Sequence, residues 1–338
     1  MTNPRRIAVA SRSFSRHPVL RAELLALYPE VTFNDSGASL SGVELAQFLA
    51  GHDAIITALE KIDEALLAQL PDLKVLSKYG VGYDMVDIDA LRRRGIRFGW
   101  TGGVNKRSVS ELVIASIIAL LRHVPRGYRE VLAGGWKQLQ GRQLTGRTVG
   151  IVGCGHVGKD LAVLLKAFDC KLLAHDILDF PDFYAAHGIL PVGFDELLSS
   201  ADIITLHLPL DATTMNILSA ERLARMRPDA ILVNAARGGL VDEAALKTML
   251  QTGKLAGAAL DVLAIEPPDD SELLALPNVL VTPHLGGSSE EAVIAMGRAA
   301  IAGLNSARVP DGSWPNQSSL APAENHYDFR LPQRRQIP

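Results

Sequence analysis

Short apolar runs recur along the chain, separated by stretches in which apolar positions return every three or four residues. The first kind predicts buried strands and the second amphipathic helices. Up to about residue 100 the alternation predicts strands at 7–10, 31–33, 54–57, 73–76 and 96–98. It predicts helices at 18–28, 42–50, 64–70 and 87–94, with Asp63 placed to cap the third and Gly95 to stop the fourth. A long helix follows, running on from Val104-Asn105-Lys106 and apolar nearly all round over 112–121. Such a helix must be buried on most sides, between lobes or against a second subunit. Gly134, Gly135 and Gly141 then mark a loop. From 147 to 285 the pattern resumes, with strands ending near Val152, Asp176, His207, Asn234, Leu260 and Val281, and a helix at 242–251. A last helix, 288–306, is long enough to return the chain to the first lobe, and residues beyond about 310 read as an arm or tail. Two series of βα units predict two open parallel sheets with helices on both faces.

Composition narrows the class. At 338 residues with 48% hydrophobic content the chain has enough for two domains, and its formal charge of −3 is spread over interspersed acids and bases. Nothing in that balance suggests a nucleic-acid or anionic-membrane surface. Cys154 and Cys170 read as small fillers rather than a disulfide or a metal pair, and no metal site is expected. No run reaches 18 uninterrupted apolar residues, and the expectation is a soluble, cytoplasmic protein.

The chemistry gathers after strands. Val149-Gly150-Ile151-Val152 leads into Gly153-Cys154-Gly155-His156-Val157-Gly158, and a helical pattern follows. In that context Gly153 makes the tight turn, Gly155 lets a pyrophosphate approach the backbone, and Gly158 lets helix and strand pack. Asp176 ends the next strand, 18 residues after Gly158. That is close to the spacing of about 20 expected for the acid that bonds the adenosine ribose. With no Lys or Arg between it and Pro181, NAD is favoured over NADP. Arg237 follows a buried strand and precedes Gly238-Gly239, placing a planar fork suited to a carboxylate or keto acid. His284 follows a strand and Pro283, a candidate proton donor, and Glu266 is a candidate partner for its imidazole. His207, at another strand end, reads instead as orienting backbone or cofactor.

The segments VGIVGCGHVGK, LHLPL, VNAARGGLVDEAAL, ALDVLAIEPP and VTPHLGGSSEEA, with KYGVGYDMVDIDAL upstream, resemble in order and spacing the D-isomer-specific 2-hydroxyacid dehydrogenases, over roughly residues 50–305. The resemblance implies an α/β fold in which a Rossmann NAD-binding domain is inserted into a flavodoxin-like substrate (catalytic) domain. The substrate domain would be 1–103 plus 287–310, the NAD domain 104–286, and the C-terminal arm 311–338. Arg237, Glu266 and His284 would be the catalytic trio, with Arg237 clamping the substrate and His284 acting as general acid/base. NAD would be lined by Val81, Gly153, Gly155, His156, Val157, Gly158, Asp176, His207, Leu208, Pro209, Thr214, Ala235, Ala236, Arg237, Asp261, His284, Gly286 and Gly287, with Asp261 near the nicotinamide amide. Lys78, Tyr79, Val81 and Gly82 would complete the substrate site with Arg237 and His284. Closure would hinge near Gly102-Gly103 and Leu285-Gly286-Gly287, and a homodimer would form through the 112–121 helix.

Within that family the pattern is nearest the phosphoglycerate-dehydrogenase-like members, yet it departs from them. Asp84-Met85-Val86-Asp87 lacks an amide the family carries, and Thr57-Ala58 stands where phosphoglycerate enzymes often carry Arg-Ser. Lys61 and Lys78 are the remaining cations for a phosphate. A glyoxylate or hydroxypyruvate reductase, and a non-catalytic NAD(H)-sensing protein like the corepressors of this fold, are the alternatives.

Overall fold

The computed structural model describes residues 6–311. The expected C-terminal arm lies outside the described residues but for Asp311.

Five strands, β1 (Ile7–Val9), β2 (Val31–Phe33), β3 (Ala54–Thr57), β4 (Val75–Lys78) and β5 (Arg97–Gly99), form a parallel sheet in the order β2-β1-β3-β4-β5. This is the flavodoxin order. Seven more, β6 (Thr148–Val152), β7 (Lys171–His175), β8 (Ile189–Pro191), β9 (Ile203–Leu206), β10 (Ile231–Asn234), β11 (Gly257–Leu260) and β12 (Val279–Val281), form a second parallel sheet. Its order, β8-β7-β6-β9-β10-β11-β12, is the doubly wound dinucleotide order with one extra strand at the edge. β1, β3, β4, β9, β10 and β11 are buried at every position, as strands covered on both faces by helices must be.

The helix Glu290–Ser306 belongs to the first lobe. It buries Met296, Ala300, Ile301 and Leu304 in one cluster with Ile7, Val9, Ile56 and Val75. Ser77 Oγ donates to the Ala300 carbonyl at 2.6 Å. A Cβ on Gly99 would sit 2.3 Å from the Gly303 carbonyl oxygen, so helix and sheet approach to backbone distance there. The seven-stranded sheet is thus interposed between β5 and a helix that packs back on β4 and β5.

Several elements differ from the hydropathy pattern. The helix expected over 64–70 is regular only to Leu67. Residues 68–70 tighten into i→i+3 turns (Gln69 N to Leu66 O, Leu70 N to Leu67 O) ahead of Pro71, which cannot continue a helix. Asp63 does cap the helix, accepting from Leu66 N at 3.0 Å. β4 starts at Val75 rather than Leu73, in register with Ala54 of β3. The pattern does not predict the helices Arg12–Arg16, Val124–Leu132, Pro181–His187, Phe194–Ser200, Ala220–Leu223 and Ser271–Ala275 or the strand β8; β8 is three residues ending in proline, and Val124–Leu132 alternates exposed apolar with charged positions. The helix Lys106–Leu121 buries Val109, Val113, Ser116, Ile117 and Leu120 at helical spacing, against the helix His156–Leu165 and β10–β11. It therefore lies chiefly on the second sheet, with Leu112, Ile114 and Ile118 only half-buried. No single helix among the described residues is long and apolar enough to cross a membrane.

Candidate active site

The three glycines after β6 sit in three different surroundings. Gly153 turns at φ +94°, and a Cβ there would lie 2.6 Å from the His207 carbonyl oxygen. On Gly158 a Cβ would meet the Gly153 oxygen at 2.2 Å, so this glycine lets the helix lie on the strand. Nothing stands within 4 Å of the place a Cβ on Gly155 would take. Gly155 is also the N-cap of the ten-residue helix His156–Leu165 and makes no side-chain cap bond. Open space beside an uncapped helix N-terminus fits a pyrophosphate, which the first-turn N–H groups and the helix dipole would hold.

Asp176 follows β7. Its Oδ2 accepts from Cys154 N (2.6 Å) and its Oδ1 from Leu178 N (2.9 Å), which fixes the carboxylate against the glycine turn. Burial pushes the Cys154 thiol up to about 11, in keeping with a neutral filler. Lys159, from the helix behind the turn, lies within electrostatic reach of Asp176 and has its Nζ 3.4 Å from the centre of the Phe180 ring. Sequence order gave no hint of that cation, because it precedes the acid by a helix. Val157 packs half-buried on the core under the same helix. The His156 ring fills the space at Gly102 and Gly103, with its nearest atoms 3.0 and 2.5 Å from the positions their Cβ atoms would take.

Along the same edge, His207 Nε2 is 2.9 Å from Thr205 Oγ1, and burial drives its pKa down to about 3. A ring held neutral in this way is no proton donor. Leu208 packs on Gly153, and Thr214 Oγ1 donates to the Pro209 carbonyl at 2.8 Å. After β10, the buried Asn234 spans the turn that carries Ala235, Ala236 and Arg237. Its Oδ1 accepts from Ala236 N (3.1 Å) and its Nδ2 donates to the Arg237 carbonyl (2.8 Å). The sequence reading missed Asn234, although an amide ending a buried strand is the signal for such a clamp. Gly238 has a different reason from the one expected: a Cβ would stand 2.0 Å from the Leu263 carbonyl oxygen, so it serves a close backbone approach rather than room for the guanidinium.

Arg237 reaches the other lobe. Its Nε donates to Asp84 Oδ2 (2.7 Å), Nη1 to the Ala236 carbonyl (2.6 Å), and Nη2 lies where a Cβ on Gly82 would be. Asp84 is a second functional candidate the sequence reading did not single out. On the substrate lobe, Val81 fixes its turn by accepting from Trp100 Nε1 at 2.7 Å. Lys78 is buried, with Nζ donating to the Ala58 (2.6 Å) and Tyr79 (3.0 Å) carbonyls; burial lowers its pKa to about 8. The Tyr79 ring is packed in the core, edge-on to Phe14 at 5.5 Å, and its N–H and carbonyl are bonded to the Thr57 carbonyl and Lys78, so its expected place in the substrate site is not supported.

Asp261 anchors the turn after β12. Its Oδ1 accepts from Thr282 Oγ1 (2.6 Å) and Leu285 N (2.7 Å), its Oδ2 from Gly286 N (2.8 Å), and its carbonyl from His284 N (3.0 Å). Within that cage His284 adopts φ +55°, a left-handed conformation that costs a non-glycine residue energy and persists only where its surroundings hold it. His284 Nδ1 lies 3.0 Å from Glu266 Oε2, while Glu266 Oε1 accepts from Leu263 N at 3.1 Å. Both side chains stay about four-tenths exposed, open to the cleft. Gly287 abuts Asn105 and Met296, where the chain passes into its last helix. The arrangement offers a fork for a carboxylate, a carboxylate-backed imidazole for a proton, and a phosphate-sized opening at a helix end.

Against known proteins, the family described as D-isomer specific 2-hydroxyacid dehydrogenase, NAD binding domain, matches residues 114–286. D-3-phosphoglycerate dehydrogenase of Synechocystis sp. is 36% identical over 291 residues, which are 84% of this chain and 52% of that protein. The chain spans about half the length of the curated relatives it matches. Among solved structures, a glyoxylate reductase from Paecilomyes thermophila superposes with TM-score 0.80 at 28% identity, covering 90% of this chain and 95% of that one. The pyruvate reductase of Chlamydomonas reinhardtii gives TM-score 0.76 at 28% identity, covering 91% and 98%.

Proposed function

From the premise that the chain belongs to the D-isomer specific 2-hydroxyacid dehydrogenase family, we propose that it is an NAD-dependent oxidoreductase interconverting a small D-2-hydroxy acid and its 2-keto acid. The observation that carries this reading is the 3.0 Å contact of His284 Nδ1 with Glu266, on a turn locked by Asp261. Glu266 accepts a hydrogen bond from Nδ1–H and leaves Nε2 as the nitrogen that exchanges a proton with the substrate oxygen at C2. In reduction Nε2 donates and in oxidation it accepts, while Glu266 stabilises the imidazolium between turnovers. Arg237 turns its fork to the C1 carboxylate and keto oxygen, polarising the carbonyl, and the backbone N–H groups of Val81 and Gly82 hold the carboxylate from the opposite lobe. Bound NAD supplies the hydride exchange.

Gly153, Gly155, Gly158, His156 and Val157 would cradle the pyrophosphate and Asp176 the adenosine ribose. His207, Leu208, Pro209, Thr214, Ala235, Ala236, Asp261, Gly286, Gly287 and Val81 would wall the rest. Residues 1–103 with 287–310 form the substrate domain and 104–286 the NAD domain in this reading, supported by separate hydrophobic clusters around each sheet. Closure would bend at Gly102-Gly103 and 285–287. A homodimer through the 112–121 helix is supported by its half-buried Leu112, Ile114 and Ile118, and by the next helix, which buries nothing and exposes Val124, Tyr128, Val131 and Leu132. Two free cysteines suit the cytoplasm.

A panel of 2-keto acids followed by NADH absorbance tests the activity. Turnover of at least one, lost in His284→Ala, is expected. Tight NADH binding with no turnover of any acid would favour a nucleotide sensor instead.

A further inference from the structure

With the C1 carboxylate and C2 oxygen of a keto acid assigned to Arg237 and His284, the rest of the substrate extends in this reading toward the ends of β3 and β4, beside Gly82 and Asp84, which Arg237 meets. The charged groups there are few. Lys78 feels Glu60, Arg237 and Asp84 electrostatically, so the four share one region. The charges of Glu60 and Lys78 are already spent on the backbone. Glu60 Oε2 accepts from Ala58 N at 2.6 Å while Lys78 Nζ donates to Ala58 O at 2.6 Å, so one residue's peptide groups are gripped between a carboxylate and an ammonium. Lys78 gives a second bond to the Tyr79 carbonyl and is only 4% exposed. Asp84 takes the Nε of Arg237. Lys61, on the same loop, pairs with Asp63 at 3.0 Å, and its side chain is 79% exposed.

A phosphate monoester brings about −1.5 to −2 charges at neutral pH and needs donors aimed at it. Here it would have to strip Lys78 from two carbonyls and sit beside Glu60 and Asp84, both of which repel it. We therefore propose that the substrate carries no anionic group beyond its C1 carboxylate: this chain handles an unphosphorylated 2-keto or 2-hydroxy acid with a small neutral or hydroxylated substituent. Glu60 is the residue that excludes the anionic tail, and Lys78 holds the Ala58–Tyr79 walls in place rather than binding substrate. This rests on the dehydrogenase reading above and narrows it. It separates the chain from relatives that bear the name D-3-phosphoglycerate dehydrogenase.

Initial rates of NADH oxidation with hydroxypyruvate, 3-phosphohydroxypyruvate and oxaloacetate decide the matter. Hydroxypyruvate should show a kcat/KM at least about tenfold above both acids with a second anionic group, the size expected of one like-charge clash. Glu60→Lys, a change on a half-buried loop, should move the ratio of phosphorylated to unphosphorylated kcat/KM up by about tenfold or more, and Glu60→Gln by less. A wild-type protein that prefers 3-phosphohydroxypyruvate overturns the inference while leaving the dehydrogenase reading intact. A ratio unchanged in Glu60→Lys overturns the role of Glu60. Failure to reduce any of the three acids, or any in the wider panel, overturns both.

Discussion

Two strand-end edges meet at the cleft, and they are built on different principles. On the seven-stranded sheet each functional group stands on a short turn whose backbone is held by hydrogen bonds: Gly153 N donates to the His175 carbonyl, the Asn234 side chain holds the Arg237 turn, and the Asp261 carboxylate holds the turn after His284. On the five-stranded sheet the corresponding groups are charged side chains that hold one another or the backbone: Glu60 and Lys78 grip Ala58, and Asp84 pairs with Arg237 of the other sheet. Rigid local turns suit a task that does not vary, holding a dinucleotide and a proton donor. Charge compensation suits a task that does vary, since in the proposed reading one substitution would change which substrate tail is tolerated.

The largest expected effect tests the pinned edge. His284→Ala removes the proposed proton donor and should lower kcat by about 10²–10⁴ while NADH binding, read by fluorescence, stays within about twofold. Equal losses in kcat and in NADH affinity would mean that the turn collapses and the imidazole has no separate role.

The second prediction breaks the contact between the edges. Gly82→Ala would place a Cβ 1.5 Å from the Arg237 Nη2, and the thing in its way is the far end of a flexible side chain rather than backbone. The fold should survive and the fork should move. A displacement of about 1 Å at a positioning group costs on the order of 10² in kcat/KM. We expect that loss with a melting temperature close to that of the wild type. A large drop in melting temperature with activity retained would show that Gly82 serves the backbone instead.

How much of this was legible from residues alone follows the same division. The pinned edge was readable because backbone-anchored turns need particular residues at fixed spacing: Gly153, Gly155 and Gly158, Asp176, and Arg237 before Gly238. The charged edge was mostly hidden. Asp84 partners Arg237 across 153 positions of sequence, and Lys78 looked like a substrate cation until its two carbonyl partners were seen. Tyr79 sits one residue from the cleft, yet its ring turns into the core, because successive strand residues face opposite ways. The elements the pattern does not show include short ones of four to seven residues, such as Arg12–Arg16, Pro181–His187 and Ala220–Leu223, the three residues of β8, and a surface helix, Val124–Leu132, that buries no residue of its own.

A smaller effect probes the far end of the pinned edge. Asp176→Ala removes a carboxylate that repels a 2′-phosphate, and Lys159 would remain nearby. The preference for NADH over NADPH should fall by about tenfold, roughly 1.4 kcal/mol. Unchanged selectivity would take Asp176 out of the ribose site and leave it only as the bond acceptor for Cys154 N and Leu178 N.

The smallest effect is one of stability and sharpens the view of Lys78 as a structural ammonium. Burial sets its pKa at about 8 in the folded protein, below the 10.5 usual for lysine. Below pH 8 both folded and unfolded chains carry the proton, and the folded state bears the cost of burying it. Between about 8 and 10.5 the folded chain has released the proton and the unfolded chain still holds it, so this group's contribution to stability rises with pH across that window. The slope is at most about 1.4 kcal/mol per pH unit. Lys78→Met should remove that slope from urea unfolding curves taken between about pH 7 and 10, whatever it does to stability at neutral pH by leaving the Ala58 and Tyr79 carbonyls without their donor. Parallel pH profiles for the wild type and the Lys78→Met variant would mean that Lys78 titrates as an ordinary solvated amine. The side chain would then be available to the cleft, and the contrast between the two edges would fail at its central residue.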